Sequence, residues 1–390
     1  MEGRPPITHS KLRITINILY AILLIISIVV SFISLKYFFA PYIWIALSWF
    51  IVFLYGTIFS TKTITKALCL YLAVISLTFG IYEAYLWIYI DIKPIKIQDH
   101  IQGVLQKKND LLGYAPIINS KVLRSRFYGN EPIYDVIYTI DSDGLRKPPP
   151  YKGGNITGCV LFFGDSFTFG EAVNDEETIP YWTGIKTHGQ YRIYNFGFGG
   201  YGPHQMLSAL EHGLVETIIK CNPKYAIYQA IDAHIIRAAG LSFWDRHGPK
   251  YILRKNGEII YNGHFDDEKL AILKKNVILQ LRKSLIFSKV LDRYFNRDNI
   301  NLFIEMVSAS RRIMETRYPE SEFHVIIWNN KESELSKKLE QKGMRVHYIR
   351  NILIDYPEKR SKYMFKHDGH PNSLANKMIA EYVVNKIIGK

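Results

Sequence analysis

One serine in this chain stands where nucleophilic chemistry could be done. In LFFGDSFTFG an apolar strand ends at Gly164 and passes Asp165 and Ser166 to a turn or the start of a helix. A serine there is exposed at a sheet edge, beside free backbone N–H groups that can stabilise an oxyanion. The same two residues would equally serve as a helix cap. Near the C-terminus, HDGHPNSLANKMIAEYV places Asp368 and His370 two apart on a loop before a helix beginning around Pro371 or Asn372. That pairing suits a serine, whose hydroxyl is a weak nucleophile until an imidazole takes its proton and a carboxylate fixes the imidazole's tautomer. His367 is the next candidate base, and DGHPN is otherwise a turn and N-cap. A third segment, NFGFGGYGPHQ, sets Gly197, Gly199, Gly200 and Gly202 after an expected strand. Glycines there allow the close backbone approach that a donor to a tetrahedral intermediate needs, and a glycine-rich turn is equally a plain structural device.

These segments need a scaffold, and the pattern from CVLFFG onward supplies one. Apolar strands CVLFFG, RIYNFG, KYAIYQAI, FHVIIWN and MRVHYI alternate with helical stretches, one from about His204 to Ile219. Such alternation predicts a parallel sheet covered on both faces, with sites at the carboxyl ends of its strands. An insertion at about residues 240–300 interrupts it. It holds an expected hairpin, YILRKNGEIIYNG, with a two-residue Asn256-Gly257 turn, then a basic amphipathic helix from Asp267 to about Phe295. That helix is either a lid or membrane-facing element, or a solvated face carrying Lys274, Lys275, Arg282, Lys283, Lys289 and Arg293. Upstream, Lys93 to Lys108 reads as a polar linker, and the stretch to Pro150 as short strands and turns. Three prolines after Lys147 place the start of the compact core beyond them.

Three long apolar runs precede all of this: Ile14 to Leu35, about Phe38 to Phe59, and Ala67 to Ile90. Each is long enough to cross roughly 30 Å of hydrocarbon, and a cleavable leader would be shorter, at roughly 7 to 15 apolar residues. The expected organisation is a membrane domain over 1–92, a linker and lead-in over 93–150, and a catalytic-type domain over 151–390. Arg4, Lys11 and Arg13 precede the first run, Lys36 alone follows it, and Lys62 and Lys66 precede the third. This distribution favours a cytoplasmic N-terminus, which puts the remainder on the far side, periplasmic or extracellular in a bacterium. Lys93 and Lys96 oppose it slightly, and Tyr82, Tyr85, Trp87 and Tyr89 suit an aromatic belt at the outer interface. Glu83, inside the third run, marks either an intramembrane site or a side chain reaching the interface.

The formal net charge is +14; residues 1–90 hold six basic and two acidic side chains, so +10 belongs to the rest. That excess suits anionic headgroups or an acidic envelope polymer, or is simply a solubilised surface, and nucleic acid is no expected partner beyond a membrane. Three cysteines form neither a metal site nor a disulfide framework. Cys159 and Cys221 each precede an expected strand, and in an oxidising compartment they could pair. No metal or cofactor is expected, and protein partners are unspecified.

In order and spacing, GDSFTFG, GGYG and DGHPN resemble the blocks of the SGNH, or GDSL-like, hydrolases over roughly Leu112 to Lys390, and LGYAP and IDSDGLRKPP resemble the lead-in of bacterial members. The resemblance implies a flavodoxin-like three-layer α/β/α sandwich behind the three membrane helices. It implies Ser166 as nucleophile, Asp368 and His370 as the rest of the triad, and the backbone N–H groups of Ser166 and Gly200 as oxyanion donors. One block departs. Where the family supplies an Asn after its third strand, YQAIDAHIIRA has none; Asp232, His234 and Arg237 stand there, with Gln229 slightly earlier. Ionised Asp only accepts hydrogen bonds, so His234 or Arg237 would have to donate in its place, or the hole is weaker. The expected function is a serine esterase, deacetylase or O-acyltransferase acting on an ester-bearing envelope glycan or lipid at the bilayer. The contrasting function is a degenerate envelope-assembly or glycan-binding protein that keeps the fold.

Overall fold

The computed structural model describes residues 9–38, 40–89, 97–150, 156–328 and 333–389. Arg4, Ile90, Lys93 and Lys96, used above, lie outside them. The chain divides into two compact units: a membrane unit of Met1–Ile95 with Lys274–Tyr294, and an α/β unit of Lys96–Leu273 with Phe295–Lys390.

Helices α1 (His9–Tyr37), α2 (Pro41–Phe59) and α3 (Thr63–Tyr89) fall on the three apolar runs, and each is long and apolar enough to cross a bilayer. Lipid offers helices no hydrophobic drive to associate, so small residues and polar side chains must bring them together. Gly56 fits against Cys69, where an added Cβ would lie 2.7 Å from Sγ, and Ser27 Oγ donates to the Ser48 carbonyl at 3.1 Å.

In the α/β unit, an antiparallel sheet of β1 (Ile97–Gln102), β4 (Ser120–Tyr128) and β5 (Glu131–Ile140) is accompanied by the pair β2 (Gln106–Asn109) and β3 (Gly113–Pro116). The expected linker up to Lys108 is therefore partly strand, because β1 finds hydrogen-bonding partners in β4 that a local reading does not see. Nor does the packed core begin only after the prolines. Arg146, fully buried, is clamped between the rings of Tyr138 and Phe169, with its guanidinium 4.4 and 4.8 Å from their centroids. It donates to Asp175 at 2.8 Å and to the Gly170 and Val173 carbonyls at 2.6 and 2.7 Å. One cation thus ties the lead-in to the chain just after the nucleophile candidate.

The central sheet contains β6 (Gly158–Phe163), β7 (Tyr191–Asn195), β8 (Pro223–Ala230), β11 (Glu322–Ile327) and β12 (Arg345–Tyr348), all parallel, in the order β7-β6-β8-β11-β12. This is the flavodoxin-like arrangement expected. Strand alternation sends Cys159, Leu161 and Phe163 to one face, with Leu207, Phe303 and Val307, and Val160 and Phe162 to the other, with Ile179, Ile379 and Val383. Helices thus cover both faces. Cys159 and Cys221 form a disulfide, their Cα atoms 5.8 Å apart, because β6 and β8 are neighbours.

Three local expectations are corrected. The helix after NFGFGG is two, α6 (Pro203–Glu211) and α7 (Leu214–Ile218), broken at Gly213 with φ 71°. The hairpin of β9 (Pro249–Leu253) and β10 (Ile259–His264) turns more widely than two residues, closed by Arg254 N–H donating to the Glu258 carbonyl at 2.9 Å. The basic helix is also two, α9 (Lys269–Leu281) and α10, which runs from Leu285 to Arg317, well past the expected end near Phe295.

Candidate active site

Ser166 opens a single-turn helix at the carboxyl end of β6, so its N–H has no intrahelical acceptor. Gly164 before it has φ 149°, and a Cβ there would lie 2.3 Å from Thr168 Oγ1, so the strand-to-helix corner requires glycine. Asp165 caps the helix through Phe167 N–H at 3.0 Å. The capping role considered for this pair therefore falls to Asp165, leaving the Ser166 hydroxyl for other partners.

His370 Nε2 lies 2.9 Å from Ser166 Oγ, and its Nδ1 is in a short contact with Asp368 Oδ1. The loop is set by Gly369 at φ 87°, by Phe365 N–H donating to the His370 carbonyl at 2.9 Å, and by Asn372, whose side chain caps the following helix. His367, the alternative base, stacks instead on Tyr128 with centroids 3.9 Å apart. Burial opposes ionisation of Asp368, yet the hydrogen bonds from His370 and Arg126 hold its carboxyl down at about 2. Burial also works against protonated His370, but Asp368 and then Glu171 outweigh it and raise its pKa above the ordinary 6.5.

Ser166 and His370 line a cleft of about 480 Å³ together with Arg124, Glu171, Gly200 and Trp244. Gly200, the second expected oxyanion donor, has φ 78°; a Cβ there would lie 2.4 Å from Trp244 Nε1. Its loop is held by Asn195, which accepts from Gly197 N–H and donates to the Thr168 carbonyl, both at 3.1 Å. A second cavity, of about 240 Å³ and walled by Phe163, Phe196 and Met206, is lined by neither Ser166 nor His370.

The three residues standing in for the missing Asn separate. Arg237 lines the cleft, with Nη1 donating to Asp165 Oδ2 and to the Tyr201 carbonyl, both at 2.8 Å. His234 does not reach the cleft: it is fully buried, with Nδ1 2.6 Å from the Tyr228 hydroxyl and Nε2 3.2 Å from Asp165 Oδ2. Burial lowers its pKa, so it supports Asp165 as a neutral ring. Asp232 is exposed at the N-cap of α8 (Ala233–Ala238), outside the cleft lining, and Gln229 accepts from Thr168 Oγ1 at 2.8 Å.

The lead-in sheet supplies residues not identified from the sequence as part of the site. Along β4, Arg124, Arg126 and Tyr128 point the same way, as the two-residue period of a strand requires. Arg124 pairs with Glu171 at 2.5 Å, Arg126 with Asp368, and Tyr128 with His367. Glu171 Oε2 in turn lies 3.6 Å from His370 Nε2. The spacing R-x-R-x-Y, which puts three such side chains on one face of a strand, is the signal that could have revealed this rail. Trp244 is placed by its neighbour Asp245, which accepts from Gln205 at 2.9 Å and meets His204 Nε2 at 2.7 Å.

No protein-family profile matches the chain, and neither does any curated protein. Among solved structures, it is similar to a protein assigned to the G-D-S-L lipolytic family from Desulfitobacterium hafniense DCB-2, at 13% identity over 58% of this chain and 98% of that one, TM-score 0.33. It is similar to AlinE4, an SGNH-hydrolase family esterase, at 14% identity over 60% and 96%, TM-score 0.32. The acetyl xylan esterase Est2A from the rumen bacterium Butyrivibrio proteoclasticus aligns at 12% identity over 63% and 67%, TM-score 0.32. The α/β unit thus has the strand order of a flavodoxin-like sheet, and Ser166, His370 and Asp368 stand in a hydrogen-bonded row at the carboxyl end of β6.

Proposed function

We propose that this protein is a membrane-anchored serine esterase or O-acyl transfer enzyme acting on an ester-bearing envelope glycan or lipid. The observation that carries the reading is the relay from Ser166 through His370 to Asp368, with Ser166 Oγ 2.9 Å from Nε2. Ser166 Oγ attacks the ester carbonyl while Nε2 takes its proton, and the oxyanion settles against the N–H groups of Ser166 and Gly200. His370 then protonates the departing alkoxide, leaving an acyl-serine. Water or a sugar hydroxyl, deprotonated by the same nitrogen, releases the acyl group and completes hydrolysis or transfer. Arg237, at the cleft wall where an amide donor is missing, adds positive charge toward the oxyanion while Asp165 fixes its orientation.

In this reading the α/β unit lies outside the cytoplasmic membrane, periplasmic or extracellular, with the N-terminus cytoplasmic. The Cys159–Cys221 disulfide supports this, since such bonds persist in oxidising compartments. Labelling the full-length protein in detergent with a serine-directed fluorophosphonate tests the chemistry. The parent should label and Ser166→Ala should not; labelling that survives the substitution rejects the assignment. An unlabelled parent that still binds glycans would indicate the non-catalytic alternative. A reporter fused after Lys390, active only in the cytoplasm, would reverse the orientation.

A further inference from the structure

Glu83 lies inside the third candidate span and is fully buried. An acidic side chain at such a position is expensive unless its oxygens are satisfied. Its partners come from a segment about 200 residues away in sequence. Glu83 accepts from Leu285 N–H at 2.6 Å, from Ile286 N–H at 3.1 Å and from Ser284 Oγ at 3.0 Å, and from Trp87 Nε1 within its own helix at 3.3 Å. All four are donors, and the carboxyl oxygens accept from each.

Leu285 and Ile286 open the 33-residue helix α10, and the next N–H, on Phe287, is taken by Ser284 Oγ at 3.1 Å. The first turn is therefore capped jointly by its own serine and by a carboxylate from α3, where the helix's positive end also favours a negative charge. The interlock is reciprocal. Lys283 donates to the Leu35 carbonyl in the last turn of α1, and the Tyr42 hydroxyl of α2 donates to the Gln280 carbonyl near the end of α9 at 3.2 Å. Phe287 packs its ring against Phe79 and Tyr42, with centroids 5.5 and 5.8 Å apart. Leu35, Tyr42 and Glu83 lie toward the same end of the three spans, the end from which α3 leads to the α/β unit. On the two helices that flank the turn, Val277 of α9 and Val290 of α10 are 51% and 61% exposed, beside Lys274, Lys275 and Lys289. Apolar side chains flanked by lysines match the boundary between acyl chains and anionic headgroups.

We propose that Lys274–Tyr294 is a second membrane attachment: a helix-turn-helix wedge seated among the ends of the three spans at the bilayer interface and locked there by Glu83. The α/β unit is then held to the membrane at three crossings of the chain, after α3 and on both sides of the wedge. The insertion is thus an anchor built into the α/β sequence, and no lid function is needed to explain it.

The test uses the full chain in membranes, with a specific protease site introduced between Ile92 and Ile95. After cleavage and a wash at high salt, which removes headgroup attraction alone, the fragment carrying the α/β unit should remain in the membrane pellet. With Glu83→Ala it should appear in the supernatant roughly tenfold more. Release from the otherwise unaltered protein, or equal retention with Glu83→Ala, overturns the proposal. A second measurement leaves Glu83 in place: Phe79→Cys with Phe287→Cys should cross-link in uncut membranes, and failure to cross-link likewise counts against the wedge.

Discussion

Asp368 and Glu83 are both carboxylates with buried side chains, and they are supported in opposite ways. Asp368 sits between the His370 imidazole and the Arg126 guanidinium, whereas the partners of Glu83 are the N–H groups of a helix start, a serine hydroxyl and an indole. The difference follows from what each does. In the proposed mechanism a proton passes through the ring beside Asp368, so its partner is a histidine, which can take and give one. Around Glu83 the partners are fixed donors at a helix start and on neighbouring side chains, which hold its oxygens in place.

The comparison can be broken most sharply at Asp368. Asp368→Asn keeps the shape but lets His370 take the wrong tautomer, and turnover should fall about 10⁴-fold, measured as kcat on a short-chain ester. A loss of only a few-fold would mean that Arg126 and the loop orient His370 without the charge. Next in size is Arg237→Ala, expected to cost about 100-fold to 1000-fold in kcat if the guanidinium serves the oxyanion. His234→Ala in the same assay separates a direct role from a supporting one: because His234 is buried behind Asp165, its loss should act through stability, seen as a lowered Tm.

Smaller effects should appear in the pH profile, and their signs are opposed. His370 must be neutral to accept the serine proton, and its raised pKa places the acid limb of kcat/KM above 6.5, with activity lost as pH falls through it. Arg126→Gln removes a cation that shares Asp368, strengthens the hold on imidazolium and should move the limb up. Glu171→Gln removes an anion 3.6 Å from Nε2 and should move it down. Shifts in one direction for both variants, or none, would show that these pairs only shape the cleft. The smallest effect belongs to Glu83→Gln, which should leave kcat/KM in detergent within about twofold, since its partners all lie in the membrane unit.

The sequence by itself determined the elements whose information is local. Twenty-residue apolar runs can only be satisfied as helices in lipid, and β-strand runs separated by helical periods can only be covered from both sides, so the spans and the parallel sheet were legible. GDS after a strand and DGH before a helix were legible for the same reason, because each rests on a strand end or helix start a few residues away. What required the tertiary structure were the groups joined across long separations: Arg126 to Asp368, Arg124 to Glu171, Glu83 to the start of α10, and the division of His234 and Arg237 between interior and cleft. Each of these is a polar residue whose position depends on which buried charge it meets. Its own neighbours in the chain do not specify that partner, since hydrogen bonds and ion pairs act over a few ångströms in space without regard to distance along the sequence.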